Sequence, residues 1–236
     1  MRRRTLLVAG TALAAVALAL VGLRALANAR TFQLFGRLVP RVETSERRVA
    51  LTFDDGPTPA VRDSILRVLE RRGVRATFFV IGRELAALPD GGRGLVAAGH
   101  EVGNHTWSHR RMVFVSPATV RAEVEPTDSV IRLAGHGGPI HFRPPYGYKL
   151  AALPWHLRRT GRTTVTWDVE PDSYADVAAT PGGIVRHVLE RVRPGSIIIL
   201  HVWYPSRRTS LEAVGPLVDS LRARGYAVGP VRELLR

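Results

Sequence analysis

Residues 48–73 read RVALTFDDGPTPAVRDSILRVLERRG and join a short apolar run, two adjacent carboxylates and a periodic segment. The run at 48–53 contains β-branched and aromatic residues and predicts a buried strand. Residues 58–72 repeat apolar side chains at helical spacing and stop at a glycine, which predicts an amphipathic helix. Asp54 and Asp55 stand between the two, where their mutual repulsion costs stability. The pair therefore indicates a bound cation, a catalytic role or a solvated turn.

The same alternation of strand and helix continues along the chain. Proline and two adjacent glycines predict a break inside one of the later helices. Alternation of this kind predicts an α/β fold with a parallel sheet and crossover helices. About seven strand–helix repeats favour a (β/α) barrel over an open doubly wound sheet, and no glycine-rich phosphate loop follows the first strand. Further strands are predicted at 76–81, 101–103, 163–167 and 196–200, and further helices at 83–98, 117–133, 182–192 and 211–224. Residues 226–236 add a short predicted strand and a helical turn.

The composition is that of one sizeable globular domain. Its 236 residues are 45% hydrophobic and 23% charged, which excludes a disordered or collagen-like chain. There is no cysteine, so disulfides, thiolate metal ligands and a cysteine nucleophile are excluded. The formal net charge of +14 comes almost entirely from arginines that are spread along the chain, which favours solvated faces. We expect no nucleic-acid partner, because one would require clustered arginines with interleaved aromatic residues.

The N-terminus has the pattern of an export segment. Three arginines at 2–4 precede the uncharged stretch 5–23, TLLVAGTALAAVALALVGL. As a helix rising about 1.5 Å per residue, this stretch nearly crosses a hydrocarbon core of roughly 30 Å. Its length favours an uncleaved membrane anchor, whereas the small residues at 25–29 would also suit cleavage of a signal peptide. We therefore predict an N-terminal hydrophobic helix at 1–24, a stalk at 25–47 and an extracytoplasmic domain at 48–236.

Ionisable side chains follow three of the predicted strands. Asp54 and Asp55 come after VALTF, Asp168 after TTVTW and His201 after SIIIL. In an α/β barrel the carboxyl ends of the strands form the face on which active sites are built. These side chains are therefore expected on one rim.

The stretch HTWSH adds two imidazoles, at His105 and His109. On a helical turn, a spacing of four residues puts both rings on one side, although two surface histidines would have the same spacing. One carboxylate and two imidazoles leave coordination positions open, as in catalytic metal sites. Zn²⁺ is the first candidate for a divalent metal, with Co²⁺, Ni²⁺ and Mn²⁺ as alternatives.

The stretch FRPPYG at 142–147 is stiff, because two prolines fix φ and a glycine permits a sharp turn. Such a loop can aim a backbone N–H at an oxyanion. Arg143 can hold a carboxylate through its two-pronged guanidinium. A plain proline turn with a surface arginine is the alternative interpretation.

Taken in order, TFDDGP, HTWSH, FRPPYG, WDVEPDSY and ILH resemble the motifs of the polysaccharide deacetylases of carbohydrate esterase family four. The likeness spans residues 48 to about 205. It implies a distorted barrel with fewer than eight repeats. It also implies a metal-dependent removal of N-acetyl groups from sugar polymers.

The resemblance implies a role for each matching residue around the metal. Asp54 corresponds to the general base that takes a proton from water. Asp55, His105 and His109 correspond to the three metal ligands. The two adjacent carboxylates would thus have different tasks, because only one of them binds the cation.

Further roles follow from the later motifs. Arg143 corresponds to the residue that orients the base, and the backbone N–H of Tyr146 to the group that meets the oxyanion. His201 corresponds to the general acid that protonates the departing amine. Ile199 stands where family members line the pocket of the acetyl methyl group.

The fourth motif departs from the family pattern. Family members have an aspartate followed by a tryptophan where this chain has Ser173 and Tyr174. That aspartate supports the protonated acid histidine, so Glu170, Asp172 or Asp168 has to take its place, or the pKa of His201 is set differently. Glu170 or Asp172 is the predicted partner of His201.

Two aromatic residues are candidates for substrate contact. Tyr174 can form a wall for a sugar ring, and Trp203 either lines the substrate groove or belongs to the core. The leading prediction is an exported N-deacetylase, a monomer held at the membrane by its N-terminal helix, that acts on peptidoglycan or a chitin-like polymer. An O-acetyl esterase with the same metal site and a non-catalytic carbohydrate-binding relative are the alternatives.

Overall fold

The computed structural model describes the backbone of residues 2–236 and the side chains of residues 13–236. The apolar stretch 5–23 lies partly outside the described side chains, so its role as a membrane anchor stays a prediction. Among helices in the described part of the chain, none is both long enough and apolar enough to cross a membrane.

Seven strands and nine helices alternate along the described chain. Every element predicted from residue 48 onward is present, and β1 and α6 below had no counterpart in the prediction. The strands are β1 (Arg37–Val39), β2 (Arg48–Asp54), β3 (Thr77–Val80), β4 (Glu101–Asn104), β5 (Thr163–Val165), β6 (Ile197–His201) and β7 (Ala227–Gly229). The helices are α1 (Arg2–Asn28), α2 (Pro59–Glu70), α3 (Gly82–Ala87), α4 (Pro89–Ala97), α5 (Pro117–Leu133), α6 (Ala152–Arg159), α7 (Pro181–Arg191), α8 (Arg208–Ala223) and α9 (Val231–Leu234).

The paired strands are parallel throughout. β2 is central, since it pairs with β3, with β6 and, at its start, with β7, while β3 also pairs with β4. Parallel bridges on Phe142 connect β4 to β5, and β5 pairs with β1. The prediction of an α/β fold with parallel strands is confirmed, and this arrangement is consistent with the predicted distorted barrel.

The central strands are buried on both faces, as expected for strands covered by crossover helices. Six of the seven residues of β2 and all four residues of β3 are buried. Helix α2 covers them through one apolar stripe that includes Ile65 and Leu69. Each large apolar side chain buried in this way contributes about 1.5–3 kcal/mol relative to exposure. The polar residues at the strand ends are therefore mounted on a rigid base.

Residues 25–47, predicted to form a stalk, pack against the barrel instead. β1 pairs in register with β5, and Ala27 is buried. The hydroxyl of Thr166 donates to the carbonyl of Arg30 at 2.6 Å. The backbone N–H of Lys149 donates to the carbonyl of Ala27 at 2.9 Å, and its Nζ donates to that of Ala29. These contacts tie the segment to the domain, where the sequence had predicted a stalk.

Candidate active site

Polar side chains from several strand ends meet at the carboxyl end of the barrel. Asp54 is the last residue of β2 and Asp55 follows it, while His201 ends β6. His105 comes directly after β4. Because carboxyl ends of parallel strands share one edge, these residues converge on a cavity of about 500 Å³.

Asp55, His105 and His109 form a cluster that can hold a metal ion. One potential ligand atom from each lies within 4.8 Å of the other two. Asp55 Oδ1 is 3.9 Å from Nε2 of His105 and 3.3 Å from Nε2 of His109. The three residues predicted as ligands are thus brought together.

The loop HTWSH is irregular, and the helical turn assumed from the spacing of its histidines is not formed. Thr106 and His109 have left-handed backbones, with φ of 68° and 60°. The hydroxyl of Thr106 accepts the backbone N–H of His109 at 3.0 Å. The loop therefore doubles back, which places the rings of His105 and His109 4.9 Å apart.

Both imidazoles are kept neutral, as metal ligands must be. Burial lowers the pKa of His105 to about 3, although its hydrogen bond to the carbonyl of Arg143 opposes the shift. Burial, together with the neighbouring His105, lowers the pKa of His109 to about 3. The Nδ1 of His105 lies 2.7 Å from the carbonyl of Arg143, to which it donates, so Nε2 keeps its lone pair for a metal ion shared with Asp55 and His109.

The His109 side of the loop is held by a residue that the sequence analysis did not identify. Glu123 of α5 is buried and accepts two hydrogen bonds from Ser108. The backbone N–H of Ser108 is 2.8 Å from Oε2, and its hydroxyl is 2.7 Å from Oε1. Glu123 thereby fixes the residue next to His109.

Asp55 is the ligand that most needs a cation. Its Oδ1 is buried and has no hydrogen-bond partner in the described part of the chain. Burial, with the charge of Asp54, raises the pKa of Asp55 to about 6. An unpaired buried carboxylate oxygen is costly, and a divalent ion would offset that cost. The donor set of one carboxylate and two neutral imidazoles therefore fits a metal ion with open coordination positions.

Asp54 is held by Arg143 in a buried ion pair. Oδ1 of Asp54 is 2.5 Å from Nη1 of Arg143, which also donates to Thr52 at 2.8 Å. The guanidinium is fully buried, lies 4.0 Å from the ring centre of Phe79 and donates to two further backbone carbonyls. The other oxygen of Asp54 lies 3.6 Å from Nε2 of His105. Asp54 is thus fixed beside the metal cluster without belonging to it.

His201 is paired with Asp172, one of the two carboxylates predicted to support it. Nδ1 of His201 is 3.2 Å from Oδ1 of Asp172, and its backbone N–H donates to Oδ2 at 2.6 Å. Burial alone would lower the pKa of His201, but Asp172, Asp54 and Asp55 together raise it to about 9. The imidazole is therefore protonated at neutral pH. Glu170 instead accepts from Trp167 and pairs with Arg30.

Comparison with known proteins assigns the chain that carries this site to a family. A family model described as polysaccharide deacetylase matches residues 41–165, which is more than half of the chain. The chain belongs to the polysaccharide deacetylase family. It is 38% identical over 202 residues to a chitooligosaccharide deacetylase of Bradyrhizobium sp. (strain ANU 289), and the match covers 80% of this chain and 90% of the relative.

Two solved structures add to the comparison. A peptidoglycan N-acetylglucosamine deacetylase superposes with a TM-score of 0.78 at 28% identity, over 84% of this chain and 92% of the other. A pseudoenzyme of carbohydrate esterase family four from Bacillus anthracis superposes with a TM-score of 0.77 at 25% identity, over 86% of this chain and 70% of the other. Because the same fold carries an inactive relative, the activity of this deacetylase has to be argued from its site.

The residues predicted to contact substrate fall into two groups in this deacetylase. Ile199 is almost fully buried and lines the cavity. Tyr146 also lines it, with a left-handed backbone (φ 58°) and its ring 4.7 Å from that of His109. Tyr174 is half exposed, stacks on His187 at 5.4 Å and lies outside the cavity lining. The predicted contact of Tyr174 with substrate in this cavity is therefore not supported by its position.

Trp203 is a core residue, which is the second of the two places that the sequence left open for it. Its side chain is only 1% exposed, and its ring lies 5.8 Å from that of Phe78. The indole packs directly on the backbone of Gly56, where a Cβ would lie 2.4 Å from the ring. The next residue, Tyr204, reaches the cavity and donates its hydroxyl to Glu84 at 2.8 Å.

Asp168 does not contribute to the rim, although the end of its strand suggested it. Its carboxylate accepts the hydroxyl of Ser196 at 2.9 Å and the backbone N–H of Ile197 at 2.8 Å. Burial raises its pKa, and these two hydrogen bonds oppose that shift. Asp168 therefore ties two neighbouring chain segments together.

Three arginines also line the cavity and were not predicted from the sequence: Arg30, Arg83 and Arg207. Arg30 precedes the first strand, so no strand-end rule points to it. Arg83 and Arg207 follow strand ends, as residues of an active-site rim do. That position was the only available signal for them.

Proposed function

We propose that this deacetylase removes N-acetyl groups from a polysaccharide that contains N-acetylglucosamine, such as peptidoglycan or a chitin-like polymer. The observation that carries the proposal is the arrangement around one cavity of a metal-ligand cluster, a carboxylate paired with arginine and a protonated histidine. These are the three groups that hydrolysis of an amide requires.

Asp55, His105 and His109 are the residues that would hold the ion, with Zn²⁺ proposed because nitrogen and oxygen ligands without thiolates suit it. When bound, a divalent ion supplies polarisation of the amide carbonyl and a lower pKa for water. The remaining work is done by the chain. Tyr146 places its ring beside His109, and its backbone N–H is proposed to meet the oxyanion. Ile199 gives an apolar wall for the acetyl methyl group.

Asp54 acts as the general base. Arg143 holds Oδ1, which leaves Oδ2 on the side of the metal cluster to take a proton from the attacking water. A buried ion pair with further hydrogen bonds on the guanidinium keeps the carboxylate in one orientation. General base catalysis of this kind contributes about 10²–10⁴-fold.

His201 acts as the general acid. Asp172 holds its Nδ1 side and keeps the ring protonated at neutral pH, so that the other ring nitrogen can give its proton to the departing amine. An amine needs this proton more than an alkoxide does, because it is the poorer leaving group. The His201–Asp172 pair therefore favours N-deacetylation over the O-acetyl esterase alternative.

Acetate release from N-acetylated and O-acetylated oligosaccharides of equal length tests the proposal. The Zn²⁺-loaded protein is expected to act on the N-acetylated substrate, and a chelator is expected to abolish that activity until Zn²⁺ is returned. Release only from the O-acetylated substrate would favour the esterase. A loaded protein that releases no acetate but binds the oligosaccharides would instead be a carbohydrate-binding relative.

We also propose that the domain is exported and stays attached to the membrane through its N-terminal segment. The support is the sequence pattern of arginines at 2–4 followed by the uncharged stretch 5–23. N-terminal sequencing of protein from membranes and from medium tests this. A mature protein that starts near Asn28 or Arg30 would replace the anchor with a cleaved signal peptide.

A further inference from the structure

The segment between α1 and β1 is part of the wall of the catalytic cavity. Its backbone is fixed by Thr166, which is fully buried and donates to the carbonyl of Arg30. It is also fixed by Lys149, the only lysine of the chain, which donates to Ala27 and Ala29. This segment precedes residues 41–165, the part that the polysaccharide deacetylase family model matches.

The side chain of Arg30 is held in place and still has free donors. Its Nη2 is 2.5 Å from Oε2 of Glu170, and its guanidinium lies 4.8 Å from the ring centre of Trp167. The side chain is 43% exposed, which leaves part of its five N–H donors facing the cavity. The ring of Trp167 also lies 5.5 Å from the guanidinium of Arg143. A single side chain, Trp167, therefore separates Arg30 from the ion pair of Arg143 with Asp54.

Two more arginines extend this positive surface around the cavity. Arg207 lies beside the acid pair and donates to the carbonyl of Asp172 at 2.7 Å. Arg83 is exposed, and its backbone N–H is fixed to the carbonyl of Trp107 at 3.1 Å. Glu170 is the carboxylate paired with Arg30, as described above.

Glu84 is the other glutamate of the lining, and Tyr204 donates to it. Asp54 and Asp55 also line the cavity, but Asp54 is paired with Arg143 and Asp55 belongs to the metal-ligand cluster. Outside that cluster, three arginines stand against two glutamates, which leaves one positive charge at the mouth of the site. A net charge of +14 for the whole chain adds to the attraction of anions.

We infer that Arg30, with Arg83 and Arg207, forms a subsite that binds a carboxylate carried by the polysaccharide near the acetylated sugar. A guanidinium is suited to this task, because its parallel N–H groups match the two oxygens of a carboxylate. The inference rests on the proposed deacetylase activity and names the substrate class, an anionic glycan rather than a neutral one. It also makes residues 27–30 part of the catalytic unit.

The test uses three oligosaccharides of equal length built on N-acetylglucosamine. One is uncharged, one has a carboxylate on alternate sugars, and one has those carboxyl groups reduced to alcohols. The Zn²⁺-loaded protein is expected to have a kcat/KM about 10-fold higher on the carboxylated oligosaccharide than on the reduced one, mainly through KM, with the preference falling as salt is added.

Arg30→Gln is expected to reduce the ratio of kcat/KM between the carboxylated and the reduced substrate about 5- to 10-fold, and Arg30→Lys to restore part of it. Arg83→Gln is the second variant, since its exposed side chain can be replaced without disturbing the fold; it is expected to lower the same ratio by a smaller factor. Arg71→Gln, at the far end of α2, is the matched control and should leave the ratio as it is.

The outcomes separate the inference from the proposed activity. Equal kcat/KM on carboxylated and reduced substrates, in the wild type and in the Arg30→Gln and Arg83→Gln variants, would overturn the subsite and leave the deacetylase intact. Absence of acetate from all three substrates would instead remove the activity on which the subsite rests, and the subsite with it. A preference that survives both Arg30→Gln and Arg83→Gln would also contradict the assignment.

Discussion

Asp54 and Asp55 are neighbours in the chain, yet their carboxylates occupy opposite environments. Asp54 is buried and compensated by the fully buried Arg143. Asp55 has a left-handed backbone (φ 75°), and one of its buried oxygens lacks a hydrogen-bond partner. This difference shows how two identical carboxylates acquire two tasks. Arg143 neutralises Asp54, whereas Asp55 is left to bind a cation.

The largest effect is expected from a substitution that breaks the ion pair between Asp54 and Arg143. Arg143→Gln would leave Asp54 as a buried charge without its partner, which costs about 3–5 kcal/mol of unfolding free energy. It would also free the base from its fixed position, so we expect kcat to fall by about 10³-fold. Denaturant unfolding and acetate release measure the two effects.

Arg143→Lys is the matched variant, since it keeps the charge but loses the fork that reaches Thr52, Val165 and Thr166. It should recover part of the stability and little of kcat. Stability and kcat both close to the wild type in Arg143→Gln would show that Asp54 does not depend on this pair.

A second compensated pair, His201 with Asp172, predicts how the activity depends on pH. His201 must be protonated to act as an acid, so activity should fall as the pH rises through about 9. Asp172→Asn removes the charge that raises this pKa and should move the alkaline limb of the pH–rate profile toward the ordinary value of about 6.5. At pH 8 this corresponds to a loss of roughly 30-fold in rate.

Glu170→Gln is the control for this shift, because Glu170 contacts Trp167, Ser173 and Arg30 and not His201. Its alkaline limb should stay in place. An unshifted limb in Asp172→Asn would mean that another group sets the alkaline pKa.

Part of this site is predictable from sequence, and the reason lies in the strand ends. Asp54, Asp55 and His201 follow apolar runs directly, so a parallel fold brings them to one edge. The stretch HTWSH was expected to join them through a helical turn. It does so through a loop with two left-handed residues, which a spacing rule does not describe.

The features that the sequence did not predict have physical causes of their own. β1 has three residues, too few to carry a periodic signal, so the segment that bears Arg30 resembled a linker. Trp203 and Tyr204 are adjacent aromatic residues, and only tertiary packing decides that the first faces the core and the second the cavity.

A smaller effect, on metal affinity, is expected from the loop that carries His109, which shares the metal-ligand cluster with Asp55. Glu123→Ala removes both hydrogen bonds to Ser108, and we expect Zn²⁺ affinity to fall by about 10- to 100-fold, as for other groups that orient metal ligands. Glu123→Gln keeps one acceptor and should fall between Glu123→Ala and the wild type. Competition with a chromophoric chelator measures the affinity without reference to turnover.

The matched control is Glu125→Gln, which lies exposed on the same helix. Its Zn²⁺ affinity should equal that of the wild type. An unchanged affinity in Glu123→Ala would mean that the loop holds His109 without this carboxylate.

The most direct test of the central claim compares the two aspartates side by side, with bound Zn²⁺ and acetate release measured on the same preparations. Asp54→Asn is expected to retain stoichiometric Zn²⁺ and to lose about 10³-fold in kcat. Asp55→Ala is expected to lose both the metal and the activity. Retention of stoichiometric Zn²⁺ by Asp55→Ala, or its loss from Asp54→Asn, would contradict the division of tasks between the two carboxylates.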